Sequence, residues 1–324
     1  MKFLLIIITT TLLLYSSPKI LIKEEAIPDN LKETVFFLSD SLDGRSYLQL
    51  DNLDSSVNFI AQKFKEFGME PKFQTYTIND IEYKNVYCKL QGKTEELIIV
   101  GAHYDSCGEL PGADDNASGV AGLIETARIV SASDKLDHSI IFVSFTLEEP
   151  PYFRTKQMGS YQFAKFGEEN NWKVKEMIAL DMIGYYTDEE VQEYPTALFK
   201  LLYPSKGNFI AAISDFSSSG YADDFQQHAE ALDQIECIQL AAPTSLPGID
   251  FSDHLNYWNL GYKAFMITNT AFYRNKEYHS FGDTSDRLDY TKMGYVVNAL
   301  SNYLLTEDQA LHVKSPPLIF IFQS

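Results

Sequence analysis

The segment GAHYDSCGELPGADDNASG, residues 101–119, sets one histidine and four acidic residues among small and turn-forming ones. Carboxylates this close repel one another unless a cation, a proton or water relieves them. Groups of the same kind recur further on: Glu148 and Glu149 after FVSFTL, Asp181 after MIAL, and His279 in YRNKEYHSFGDTSD after FMITNT. Imidazole nitrogen and carboxylate oxygen together suit divalent cations, zinc among them. A lone His or Asp at a strand end is usually a cap or a hydrogen-bonding group. Repetition at successive strand ends, with Asp114 beside Asp115 and Glu148 beside Glu149, points instead to metal chemistry. A cation held this way generates a nucleophile from water near neutral pH, and a neighbouring carboxylate moves its proton. Chemistry of that kind serves hydrolysis.

Such residues must be delivered by a scaffold, and the hydrophobic pattern supplies one. Val57, Ile60, Ala61 and Phe64 recur at helical spacing before Gly68, and LKETVFFLSD reads as a helix too. The stretches KFQTYTI, EYKNVYCKL, ELIIVGAHYD, SIIFVSFTL, EMIALDMI, NFIAAIS, ECIQLA and KAFMITNT read as strands. Helices are expected at about 116–130, 158–166, 223–232 and 292–304. Asp115 is expected to cap the first of these four. Continuous apolar strands alternating with helices indicate one α/β domain, its sheet covered by helices on both faces. In such sheets, binding groups gather at the carboxyl ends of strands, where His103, Asp105, Glu148, Glu149, Asp181 and His279 fall.

The chain has 324 residues, 45% of them hydrophobic, which is enough for one large core. A formal net charge of −19 excludes nucleic acid and anionic membrane surfaces as partners, since both require a basic face. Lys2 precedes an apolar run over residues 3–14, so residues 1–22 read as a signal peptide or an uncleaved N-terminal anchor, with 23–324 as the domain. The expectation is an exported protein, periplasmic or extracellular, meeting a membrane only through that anchor. Three cysteines, Cys88, Cys107 and Cys237, leave room for at most one internal disulfide. HExxH, GxSxG and Walker loops are absent.

HYDS, GADDNASGVA, the EE pair closing an apolar strand, ALDMIGY, and EYH followed by DTSDRLD stand in an order and spacing that resembles peptidase family M28. These are the two-zinc exopeptidases that include bacterial leucyl aminopeptidases, glutamate carboxypeptidase II and glutaminyl cyclases. The resemblance runs from LDGRSY to DTSDRLDY. It implies a mixed, mostly parallel sheet of the zinc aminopeptidase-like (phosphorylase/hydrolase-like) kind and two zinc ions. Asp115 would bridge them, with His103 and Asp181 completing one site and Glu149 and His279 the other. Glu148 would be the general base, Asp105 would orient His103, and Tyr278 would support the oxyanion. The activity implied is an aminopeptidase acting on peptides with a free N-terminus. A single-zinc glutaminyl cyclase and a non-catalytic binding ectodomain on the same fold are the alternatives.

The sequence departs from the family pattern after the glutamates, in EEPPYFRTKQMGS, where Tyr152, Phe153 and Arg154 must rim the pocket differently. Arg154 and Arg274 are two loop arginines that could instead attract a substrate carboxylate. Asp253 and His254 resemble an SDH element near the family's substrate pocket. His138, His228 and His312 are read as bystanders, His228 on a polar helix face.

Overall fold

The computed structural model describes residues 18–133 and 136–306. The leader's apolar run, and the tail with His312, lie outside the described residues. Eight strands form one sheet: β1 (Lys72–Ile78), β2 (Ile81–Leu90), β3 (Glu96–His103), β4 (Ser139–Phe145), β5 (Lys173–Leu180), β6 (Ile210–Ser214), β7 (Cys237–Ala241) and β8 (Ala264–Thr268). Their order is β1-β2-β4-β3-β5-β8-β6-β7. The β1/β2, β2/β4 and β6/β8 pairs are antiparallel, and the four others are parallel. The sheet is therefore mixed and mostly parallel, as expected.

Among the described residues, eight helices accompany it: α1 (Pro28–Ser39), α2 (Leu50–Glu66), α3 (Gly119–Ser131), α4 (Gly159–Glu169), α5 (Ala197–Leu202), α6 (Ser219–Leu232), α7 (His254–Asn259) and α8 (Tyr290–Leu305). Successive side chains of a strand point to opposite faces. Along β3, Ile98, Val100 and Ala102 enter one core while Leu97 and Ile99 enter the other. That is why ELIIV shows no polar alternation: both faces are covered. The first core takes in Leu31, Leu53, Leu123, Ala222 and Leu300 from α1, α2, α3, α6 and α8. The second takes in Phe163 of α4 and Tyr257 of α7. On α2, Val57, Ile60, Ala61 and Phe64 are all buried, and Gly68 follows with φ +75°.

Most expected boundaries fall within a few residues of these, and KFQTYTI matches β1 end to end. Two short helices, α5 and α7, went unforeseen, because six residues do not display a helical period. Residues 18–26 run beside α8, where Leu21 N donates to Asn302 Oδ1 (2.6 Å) and Ala26 N to Asn298 Oδ1 (2.7 Å). Among the described residues, no helix is long and apolar enough to cross a membrane.

Candidate metal centre

His103 is the last residue of β3, and Asp181 follows β5 directly. These strands are parallel neighbours, so their carboxyl ends open onto one cleft. Glu148 and Glu149 follow β4, the other parallel neighbour of β3. Asp115 comes from an irregular turn, Ala113–Ser118, between β3 and α3, and His279 from the loop after β8.

The turn is stitched to the end of β5. Asn116 Nδ2 donates to Leu180 O (2.8 Å), and Asn116 Oδ1 accepts from Met182 N (3.1 Å). Asp114 Oδ1 accepts from Gly184 N (2.8 Å) and Tyr185 N (3.2 Å), while its Oδ2 accepts from Asn269 Nδ2 (2.8 Å) and Asn275 Nδ2 (3.1 Å). The adjacent aspartates thus divide: Asp114 accepts from four donors after β5 and β8, and Asp115 faces the cleft. The expected cap is corrected as well. Helix α3 starts at Gly119, and it is Asn116 Oδ1, not Asp115, that accepts from Gly119 N (3.0 Å). Asp115 has φ −106° and ψ 90°, outside helical values, which turns its carboxylate away from α3. A Cβ on Gly119 would sit 2.6 Å from Leu180 O, so only glycine allows this approach.

The five expected ligands converge. His103 Nε2 lies 3.4 Å from Asp115 Oδ1 and 3.7 Å from Asp181 Oδ2. His279 Nε2 lies 3.1 Å from Asp115 Oδ2 and 3.1 Å from Glu149 Oε2. Metal bonds of about 2.0–2.2 Å put the ligand atoms of one tetrahedral cation roughly 3.2–3.6 Å apart. Both imidazole Nε2 atoms are buried without a hydrogen-bond partner among the described residues. Orphaned buried nitrogens that face carboxylates at these separations fit a divalent cation. Leu147 (φ 59°), Met182 (φ 54°) and His279 (φ 52°) hold left-handed backbone without being glycine, beside or at Glu148, Asp181 and the second histidine. Such strain collects at functional sites.

Asp105 does more than was expected of it. Its Oδ1 is 3.6 Å from His103 Nδ1, but its carboxylate also accepts from Glu148 N (3.2 Å) and Glu149 N (3.0 Å), which fixes the paired glutamates over the cleft. Glu148 Oε2 stands 3.9 Å from His103 Nε2. Tyr278 stacks on His279 with centroids 3.8 Å apart. Its hydroxyl pKa is raised by burial and by Asp115.

Two bracing groups escaped the sequence reading. Asp283 accepts from Asp114 N and Asp115 N (both 3.1 Å), and Arg45 is wholly buried behind the site. Arg45 donates to Tyr104 O (2.8 Å), Leu38 O (2.7 Å), Pro111 O (2.7 Å) and Gly112 O (2.9 Å). Burial lowers it to about 10, against the pull of Asp105 and Asp115. Arg45→Ala strands those carbonyls and is expected to cost roughly 3–5 kcal/mol. In thermal unfolding this reads as a fall in Tm of about 10 °C.

Several side readings are corrected. Arg274 is 1% exposed, not a free loop arginine. It donates to Phe209 O (2.8 Å) and Gln192 Oε1 (3.0 Å). Arg154 pairs with Asp250 over the Phe251 ring. His228 is buried, with Nδ1 3.0 Å from Asn302 Nδ2, rather than on a polar face. His254 is buried 2.7 Å from Ile249 O and held down to about 4 by burial. Beside it, Asp253 has neither carboxylate oxygen hydrogen-bonded among the described residues. Cys88, Cys107 and Cys237 are all free thiols.

Without cations the cluster holds protons. Burial, aided by Asp115, pushes Glu149 up to about 7, and burial does the same to Asp253 and Asp283. Burial depresses His279, but Asp115 and Glu149 outweigh it and raise the imidazole to about 10. A carboxyl raised on folding gives stability that is complete below the unfolded value near 4 and lost as pH rises through about 7. Cations at Glu149 and His279 would replace those protons. The rise in Tm on adding Zn²⁺ to chelator-treated protein is therefore expected to grow from pH 5 to pH 8. A rise that shrinks over that interval would contradict the assignment.

An apolar pocket of about 80 Å³ opens beside Asp181, lined by Phe209, Ile213, Leu240, Ile249, Met266 and Phe272, among others. Tyr194, before α5, and Phe199, within it, also line it.

A model of peptidase family M28 matches residues 85–304. YfbL of Escherichia coli (strain K12), itself uncharacterized, is 40% identical over 288 residues, covering 86% of this chain and 88% of YfbL. Leucine aminopeptidase 1 of Pyrenophora tritici-repentis is 26% identical over 66% of this chain, which spans about half (52%) of that relative. Among solved structures, LapB of Legionella pneumophila aligns with a TM-score of 0.70 at 23% identity, over 86% of this chain and 71% of LapB. Porphyromonas gingivalis glutaminyl cyclase aligns at 0.67 and 19%, over 87% of this chain and 99% of the cyclase. At those identities the likeness is one of fold, and aminopeptidases and cyclases share it. Order of motifs, sheet topology and sequence kinship agree: this chain belongs to peptidase family M28, whose members are metal-dependent.

Proposed function

We propose that this protein is a two-zinc aminopeptidase. One observation carries the reading: Asp115 offers one oxygen toward each histidine, Oδ1 to His103 at 3.4 Å and Oδ2 to His279 at 3.1 Å. That is the disposition of a bridging carboxylate. His103 and Asp181 complete one half-site, Glu149 and His279 the other. Cations held there would polarise the scissile carbonyl and acidify the attacking water.

The chain's own residues do the rest. Glu148, which coordinates nothing in this scheme, receives the water proton and returns it to the leaving amine. Asp105 holds its backbone in place through Glu148 N. Tyr278 steadies His279 and offers a hydroxyl toward the developing oxyanion. The pocket beside Asp181 is lined by apolar side chains such as Phe209, Ile213, Leu240 and Met266, which suits an uncharged, apolar side chain at the substrate's N-terminus. Arg154 and Arg274 are engaged within the protein, so neither is free to receive a substrate carboxylate. A cleft rich in carboxylates favours a terminal ammonium group instead.

The test is a panel of unblocked amino-acid amides and dipeptides, their N-acetylated forms, and peptides with N-terminal glutamine, each with and without chelator. Chelator-sensitive hydrolysis of the unblocked leucine substrates is expected, with N-acetylation abolishing it. Preference for acetylated substrates, or cyclisation of N-terminal glutamine without hydrolysis, overturns the aminopeptidase reading. Export, proposed from the apolar leader, is checked by fractionating cells that express the full chain.

A further inference from the structure

The loop between β3 and the Asp115 turn carries a thiol that the scheme above leaves unused. Cys107 Sγ, a Glu149 carboxylate oxygen and a His279 ring nitrogen all lie within 4.8 Å of one another. This is the same mutual proximity that His103, Asp115 and Asp181 show in the other half-site. Of the two Glu149 oxygens, Oε2 is 3.1 Å from His279 Nε2, whereas Oε1 is buried with no hydrogen-bond partner among the described residues. Glu149 is only 5% exposed, so water does not readily satisfy that oxygen. His279 Nε2 is orphaned likewise. Two buried ligand atoms lacking partners, with a free sulfur alongside, describe a cation position with a nitrogen, an oxygen and a sulfur ligand.

We infer that Cys107 Sγ is a ligand of the cation held by Glu149 and His279. The inference rests on reading these residues as a metal centre, and it adds a property the five-residue set lacks. A zinc–sulfur bond of about 2.3 Å requires Sγ some 3.5 Å from the nitrogen and oxygen ligands. Sγ already lies within 4.8 Å of both ligand atoms, so a shift of roughly 1 Å meets that requirement. The two half-sites then differ in kind. His103 with Asp181 offers nitrogen and oxygen alone, whereas the Cys107 side is soft and favours Zn²⁺ or Co²⁺ over Mn²⁺ or Mg²⁺.

Cobalt distinguishes the ligands directly, because thiolate bound to Co²⁺ adds a near-ultraviolet charge-transfer band to the visible d–d absorption. Chelator-stripped full-chain protein, kept reduced, is titrated with two equivalents of Co²⁺ and compared with Cys107→Ser and Cys107→Ala. The band is expected in the parent, rising with one of the two equivalents, and is expected to vanish in both variants while d–d absorption persists. Affinity for that ion should fall at least about tenfold in the variants. Two bound cobalt ions without the band in the parent, or a band that survives both substitutions, overturns the sulfur ligand and leaves the metal centre standing. Failure to bind cobalt at all overturns the centre itself and the inference with it. As a second readout, Zn²⁺ should slow alkylation of Cys107 by iodoacetamide by about tenfold or more; unchanged alkylation counts against coordination. Cys88 and Cys237 are buried and do not confuse this measurement.

Discussion

Glu148→Gln is expected to keep its metal and lose about 10²–10⁴-fold in kcat. Glutamine preserves volume and the backbone bond from Glu148 N to Asp105, so the scaffold has no reason to move. It cannot accept a proton. The side chain stands in the right place to do so: Oε2 is 3.9 Å from His103 Nε2, and neither half-site needs it as a ligand. In the metal-free protein burial, with Glu149, Asp181 and Asp253 nearby and His103 opposing, raises its pKa well above the usual glutamate value; cations in the two half-sites would pull it back down and leave a carboxylate able to accept the proton. Zinc content by atomic absorption separates the readings. Unchanged zinc with collapsed turnover supports the base, whereas lost zinc would make Glu148 a ligand. Full activity would falsify the assignment outright.

Asp115→Asn is expected to fail differently, losing metal first and activity with it. An amide presents one oxygen and one N–H₂ where two anionic oxygens are needed, so the bridge is broken and the N–H₂ faces a cation. Affinity should drop by about 10² or more, and turnover at stoichiometric zinc should fall to background. The fold should survive, because the turn is held through Asp115 N and through its neighbours, not through the Asp115 carboxylate. Asp114→Asn, one residue away, makes the contrast. Asp114 accepts from Gly184, Tyr185, Asn269 and Asn275, and an amide there turns a donor toward donors. That variant should lower Tm by several degrees while the five ligands remain in the chain. If both variants lose the same property, the division of labour between the aspartates is wrong.

Much of the scaffold was legible because its determinants are local. The apolar continuity of SIIFVSF records a strand covered on both faces, and all seven of those residues are buried in β4. The 3.6-residue period of α2 records a single buried stripe. The candidate ligands were legible for a related reason: hydrophobic runs end at polar residues with no cheap place in a core, and those ends lie together in an α/β sheet. Arg45 and Asp283 were not legible. The sequence shows an arginine after Asp-Gly and an aspartate in a turn, and nothing local separates them from solvated residues. Their roles exist only through bonds to residues 7–67 and 168–169 positions away. Arg274 was misread for the same reason, since its partners Gln192 and Phe209 lie 82 and 65 positions off.

By itself, then, the sequence determined the eight strands and the longer helices, the apolar run of each strand, and which side chains had to seek a cation or each other, since those are properties of spacing within a few residues and of side-chain chemistry. Tertiary structure alone decided the strand order β4-β3-β5-β8 that aligns four strand ends at one cleft, and which aspartate of the pair braces and which faces inward. It also decided that a thiol shares the space of Glu149 and His279. Crossovers that satisfy both cores settle these matters, and the free energy that selects them is summed over contacts between distant segments that no local window contains.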